Sequence, residues 1–112
     1  MFANRIFLAL FTALFMALSA NAALITLFSD TECKNAVESV NVWDNTCLKT
    51  GGFQSFVITY QGGDSQRIRA YTRNDCVAPE SACVWADQLV QCIRATGGDG
   101  ASHALSSYVI NC

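Results

Sequence analysis

The sequence predicts a small all-β sandwich built from two similar units. Three observations carry this: an internal repeat, short strand-like runs between turn residues, and six cysteines in 112 residues. Residues 25–33 (ITLFSDTEC) and 68–76 (IRAYTRNDC) share an Ile, an aromatic, an acid and a Cys at the same spacings. Val42-Trp43 has a counterpart in Val84-Trp85, Cys47 in Cys92, and FQSFVI (53–58) in LSSYVI (105–110). A unit of about 40 residues used twice is one structural motif in two copies. Two copies are too few for a solenoid, so the pair is expected to close into a single domain.

Residues 1–22 stand outside that pattern. Arg5 precedes the uncharged apolar run 6–18, and Ala20-Asn21-Ala22 puts small residues at positions −3 and −1 of a signal-peptide cleavage site. Cleavage is expected between Ala22 and Ala23. The run is shorter than the roughly 20 residues a spanning helix needs. The expected organisation is a signal peptide over 1–22 and one β-sandwich domain over 23–112. Its first motif covers about 24–61 and its second about 66–112. No later apolar run reaches spanning length, so a secreted, extracellular protein without a membrane span is expected. All six cysteines (Cys33, Cys47, Cys76, Cys83, Cys92, Cys112) follow residue 22. Their even number, the secretory route and the small core imply three disulfides. Metal binding is not expected, because no C-x-x-C pair occurs and His103 is the single histidine. Beyond residue 22, nine acids face six bases, a balance that gives no pull toward nucleic acid or anionic membrane.

Along the chain, strands are expected near 24–29, 38–43, 54–60, 66–72, 81–86 and 105–111. Gly51-Gly52, Gly62-Gly63-Asp64, Pro79 and Gly97-Gly98-Asp99-Gly100 separate them. Segment 86–95 (ADQLVQCIRA) is the one candidate for a helical turn, with Leu89, Cys92 and Ile93 on one face. Alternation places Ile25 and Leu27 on one face of the first strand, matched by Ile68 and Ala70 in the second copy; this is the expected core face. Arg67, Arg69, Tyr71 and Arg73 share the other face, as do Leu24, Thr26 and Phe28. Trp43 and Trp85, matched by the repeat, are expected to pack in the core.

The run I-T-L-F-x-x-x-x-C-x-N followed by G-F-Q-S-F-V-I is similar to the βγ-crystallin Greek key motif. That motif opens with a strand ending in an aromatic, continues through a folded hairpin carrying an aromatic and a glycine, and places a serine at the head of its last strand. Phe28 and Tyr71 match the first aromatic, and Ser55 and Ser107 the serine. Cys33 and Cys76 stand at the hairpin aromatic. Asn35 and Ala78 stand at the glycine, where a left-handed backbone is called for. The resemblance, over about 24–110, implies a two-motif Greek key β-sandwich. Secreted microbial members of this class include killer toxins, antifungal proteins and a metalloproteinase inhibitor, and the chain also resembles fungal small secreted cysteine-rich proteins, some of them effectors. The calcium pattern of the family lacks its carboxylate and amide half at Thr50-Gly51 and at Ser102-His103. No cofactor is implied.

Matched positions in a duplicated unit imply matched bonds. Cys33–Cys47 and Cys76–Cys92 are therefore expected, with Cys83–Cys112 joining the unmatched pair. Cys76–Cys83 with Cys92–Cys112 is the alternative. A Greek key would place the strands of Cys83 and Cys112 two spacings apart, about 9–10 Å, so the chain end would have to fold over. Catalysis would need His103 to form a triad with Asp99 and Ser102 or Ser106 inside one loop, a geometry that sequence neighbours seldom reach. A non-enzymatic secreted protein acting by binding is expected, of effector, toxin or antimicrobial type. An inhibitor of a secreted hydrolase, presenting loop 96–103, is the alternative, and a small hydrolase a third reading. Arg67, Arg69, Tyr71 and Arg73 are the candidate contacts to an extracellular protein, glycan or other cell-surface target. The competing role for these charges is protection of a solvated strand. A monomer is expected.

Overall fold

A computed structural model describes residues 21–97 and 100–112. The expected signal peptide therefore lies almost wholly outside the described residues. Eight strands follow one another: β1 (Ala22–Phe28), β2 (Ala36–Trp43), β3 (Thr46–Phe53), β4 (Ser55–Tyr60), β5 (Arg67–Tyr71), β6 (Glu80–Trp85), β7 (Ile93–Arg94) and β8 (Ser102–Tyr108). They form two four-stranded sheets, in the orders β2-β1-β4-β7 (sheet 1) and β3-β8-β5-β6 (sheet 2). All the pairings within them are antiparallel. The third strand of each half thus pairs in the other half's sheet. Segment 86–95 forms no helix. Its backbone is spent on a turn, with Gln88 N–H donating to Trp85 O at 3.1 Å, and on a bond from Val90 N–H to Ile58 O at 3.0 Å. Strand β7 follows it. Three turn-prone or polar residues among the first six, and only one face of apolar spacing, leave a helix here with no partner surface.

The core lies between the sheets. Ile25, Leu27, Ile68 and Ala70 are fully buried, as their alternation predicts, and Val42, Phe53, Phe56, Ile58 and Leu105 join them. Phe53 meets Phe56 edge-on, with centroids 6.3 Å apart. Each fully buried large side chain contributes about 1.5–3 kcal/mol. Trp43 and Trp85, by contrast, are 51% and 44% exposed, so neither packs in the core as expected.

Strand register explains this, and it corrects the repeat. Ile25 pairs with Val40 while its counterpart Ile68 pairs with Val84, so Val84-Trp85 corresponds to Val40-Asn41 and the Val-Trp match is displaced by two residues. A slip of two preserves the face, and both tryptophans point outward beside an inward neighbour. The last strand is displaced by three. Leu27 pairs with Phe56 and Ala70 with Leu105, so Ala104, not Ser107, occupies the place of Ser55. The hairpin landmarks and the Cys47/Cys92 match remain in register.

The disulfides follow from the exchanged strands. Cys33 bonds Cys92 and Cys47 bonds Cys76, in place of the expected Cys33–Cys47 and Cys76–Cys92. Matched cysteines do have matched bonds, but each bond joins the two halves. Cys47 is the second residue of β3, an edge strand of sheet 2, whose β5–β6 hairpin carries Cys76, and Cys92 precedes β7, an edge strand of sheet 1, whose β1–β2 hairpin carries Cys33. The third bond is Cys83–Cys112, with a Cα–Cα distance of 5.8 Å, and residues 109–112 fold back over β5 to reach it. The left-handed residues of the two hairpins are the cysteines themselves, Cys33 (φ 57°) and Cys76 (φ 53°), rather than Asn35 and Ala78. An L-residue there costs about 1–2 kcal/mol, a cost set against the bond each cysteine makes.

Candidate functional site

The strand face of Arg67, Arg69, Tyr71 and Arg73 is largely filled by the chain itself. The Arg67 guanidinium is buried, stacks 3.6 Å from the centroid of the Trp85 ring and donates to Val109 O at 3.0 Å. Arg69, its side chain only 12% exposed, pairs with Glu80 at 2.9 Å and donates to the carbonyls of Ile110 (3.2 Å) and Asn111. Tyr71 is buried, its hydroxyl 2.8 Å from Ser106 Oγ. Only Arg73 is open, at 62%, and it pairs with Asp75. Three guanidiniums at period two suggest a patch in sequence, but residues 109–112 cover two of them. Arginine suits this role because its planar fork reaches several carbonyls at once.

His103 lies on β8. Its Nδ1 is 2.8 Å from Thr72 O, and since a carbonyl only accepts, Nδ1 carries the proton in this bond. Nε2 lies beside Gly52, where an added Cβ would stand 3.4 Å away. Ser102 donates to Ala95 O at 2.5 Å and lies 2.6 Å from Ser81 Oγ. Ser106 is held by Tyr71. Neither Ser102 nor Ser106 bonds the imidazole: alternation along β8 sets both serines on the face opposite His103. Asp99 and Gly98 lie outside the described residues, so loop 96–103 is described only at its base. Among the described residues no group of three or more His, Cys, Asp or Glu side chains could hold a metal ion.

The Asp30 carboxylate organises the first hairpin, accepting N–H bonds from Asn35 (2.9 Å), Lys34 (3.1 Å) and Glu32 (3.1 Å). These bonds, that of Asn35 foremost, hold its pKa below the ordinary carboxylate value. Ser55 Oγ closes the same hairpin, accepting from Cys33 N–H at 3.1 Å and donating to Asp30 O at 2.5 Å.

The open surface is the outer face of sheet 1, the counterpart of the filled Arg face. Leu24 and Thr26 of β1 lie between Asn41 and Ser39 of β2 on one side and Tyr60 and Val57 of β4 on the other. Trp43 stands at the end of the β2 row, opposite Ala22, and Tyr60 is 70% exposed. None of these side chains is charged. The face combines aromatic rings with hydroxyl and amide groups, the mixture that binding surfaces favour. The sequence reading missed it because it assigned Trp43 to the core. The end-of-strand position of Trp43, one residue past inward Val42, is the signal that locates it.

No family model, curated protein or solved structure matches the chain. Among the described residues no helix is long and apolar enough to cross a membrane.

Proposed function

We propose that this is a secreted, non-enzymatic protein that acts by binding outside the cell, as an effector, toxin or antimicrobial protein, on a two-motif Greek key frame of βγ-crystallin kind. The strand orders support the frame: each half runs second-first-fourth strand and receives the other half's third strand at its edge. Three disulfides in so small a domain support an oxidising destination. One observation carries the binding reading above the others. The side chains suited to chemistry, His103, Ser102, Ser106, Arg67 and Arg69, are tied into the fold, while the stretch of sheet 1's outer face formed by Leu24, Thr26, Ser39, Asn41, Trp43 and Tyr60 is uncharged and open. The partner is an extracellular protein, glycan or other surface group.

The test applies the purified, disulfide-bonded protein and two variants to microbial and plant cells and to a panel of secreted proteases. Tyr60→Ala should weaken the cellular effect while the folded spectrum is kept, and His103→Ala should leave it unchanged. Turnover of any substrate that is lost with His103→Ala would overturn the reading.

A further inference from the structure

We propose that residues 109–112 are a strap opened by thiols: reduction of the Cys83–Cys112 bond releases them from sheet 2 and bares Arg67 and Arg69 as a site for an oxoanion, a carboxylate or a sulfate. This goes beyond the proposed function and does not depend on it.

The three disulfides differ in what else holds their two ends together. Cys33 is fixed in the first hairpin, where its N–H donates to Ser55 Oγ, and Cys92 lies between the Val90–Ile58 bond and β7. Cys47 is paired with Ser106 inside the β3–β8 ladder, and Cys76 lies in the hairpin between β5 and β6. If either of these bonds is reduced, the folded strands still present the two thiols to each other, so the bond re-forms. Cys83 is likewise fixed, on β6 opposite Arg69. Its partner Cys112 is the last residue of the chain. No strand takes in residues 109–112, and all four are exposed. Arg67 holds them at Val109 O, and Arg69 at Ile110 O and Asn111 O. Once the bond is open, the chain end gains conformational freedom and the effective concentration of the Cys112 thiol at Cys83 falls. This bond therefore re-forms least readily and is the first to stay open. In the exchange, a thiolate of the reductant bonds Cys112 Sγ and the Cys83 sulfur leaves with the electron pair and takes up a proton. A second thiol of the reductant then frees Cys112, and the reductant departs as its own disulfide.

The strap covers cationic donors that the rest of the fold does not satisfy. The Arg67 guanidinium stacks 3.6 Å from the Trp85 ring centroid, and among the described residues it has no carboxylate partner and bonds Val109 O. Arg69 pairs with Glu80, yet its Nε is buried without an acceptor even with the strap in place. Departure of 109–112 removes the carbonyls from both forks and leaves two cations on one outward row of β5 against the single acid Glu80. A carboxylate or sulfate supplies the same acceptor oxygens with the charge that backbone carbonyls lack, in the planar geometry a guanidinium fork fits.

The experiment equilibrates the disulfide-bonded protein in graded glutathione buffers, traps free thiols with iodoacetamide and maps them by mass. A species alkylated only at Cys83 and Cys112, with an unchanged folded spectrum, should accumulate first. Backbone relaxation should show 109–112 mobile in it. Sodium sulfate and sodium acetate, each titrated against chloride at matched ionic strength, should shift the Arg67 and Arg69 side-chain N–H signals of the opened form and not of the closed one. Cys83→Ser with Cys112→Ser gives the opened form without trapping and should respond alike, and Arg67→Gln in that background should remove the response. A shift with one anion alone assigns the site to that anion's chemistry. Opening of Cys33–Cys92 or Cys47–Cys76 ahead of Cys83–Cys112 overturns the proposal. So does a strap that stays rigid when unbonded, or guanidinium signals that answer to neither anion.

Discussion

The first strands of the two halves, β1 and β5, hold the same place in their sheets and bury the same kind of inner face, yet their outer faces diverge. Leu24 and Thr26 of β1 leave sheet 1 open, whereas Arg67 and Arg69, at the same register positions of β5, draw residues 109–112 across sheet 2. The hairpins diverge in parallel. The first is closed by Asp30 and Ser55, and the second has Arg73 and Ala104 at those places, with His103 bonding Thr72 O instead. A duplicated backbone thus keeps its core and its cysteine contacts while its surface side chains are free to change. The open face and the filled face are alternative uses of one position.

The comparison is broken most severely in the core. Phe56 and Leu105 are equivalent and fully buried, but Phe56 also meets the Phe53 ring. Phe56→Ala should cost about 3–5 kcal/mol and Leu105→Ala about 2–4 kcal/mol in denaturant unfolding. Equal losses would mean that the two halves are packed alike.

The exchanged disulfides come next. Replacing Cys47 and Cys76 together by Ala should cost about 2–5 kcal/mol, because the bond closes a long loop between halves. A non-reducing peptide map should link Cys33 to Cys92 and Cys47 to Cys76. Cleavage within 61–66 should leave both halves joined until a thiol reductant is added. Separation without reductant would restore bonds internal to each half.

The outer faces themselves give a smaller contrast. Arg69→Ala removes the guanidinium that holds two carbonyls and Glu80, and should cost about 1–3 kcal/mol while freeing residues 109–112 in backbone relaxation measurements. Thr26→Ala, at the matching position of β1, should change stability by less than about 0.5 kcal/mol. A rigid 109–112 segment in Arg69→Ala would assign its order to the Cys83–Cys112 bond alone.

Much of this fold was legible in the sequence. Two-residue alternation at Ile25/Leu27 and Ile68/Ala70 located the core face, since burial on one side of a strand leaves that period behind. The cysteine count gave the number of disulfides, and the unmatched pair Cys83–Cys112 was placed, while the other two pairings were not. What stayed hidden depends on pairing across strands. Register is invisible in one strand's sequence, so the FQSFVI and LSSYVI runs look equivalent although their strands are offset by three. The edge exchange that pairs Cys33 with Cys92 is a property of the closed sandwich, not of either copy. The Arg face was misjudged for the same reason: nothing near Arg67 or Arg69 in sequence announces that residues some 40 positions on will cover them.

The smallest expected effect appears only in acid and sets the two hairpins against each other. The N–H donors of Asn35, Lys34 and Glu32 depress the Asp30 pKa below 3.8 in the folded chain. A group with a depressed folded pKa contributes stability that is present above its unfolded value and is lost as pH falls through the folded value. The hairpin 29–35 should therefore keep its structure down to that lowered pKa and loosen below it, with faster exchange of the Glu32, Lys34 and Asn35 amides. The hairpin 72–78 has Arg73 in the place of Asp30, and should show no loosening through the same carboxylate. Amide exchange followed by NMR between neutral pH and pH values below the ordinary carboxylate range measures both at once. Asp30→Asn should erase the difference in pH response, because an amide side chain keeps an acceptor oxygen but has no proton to take up there. If both hairpins of the parent loosen together, acid acts through the shared core and the Asp30 carboxylate is not what distinguishes the first half.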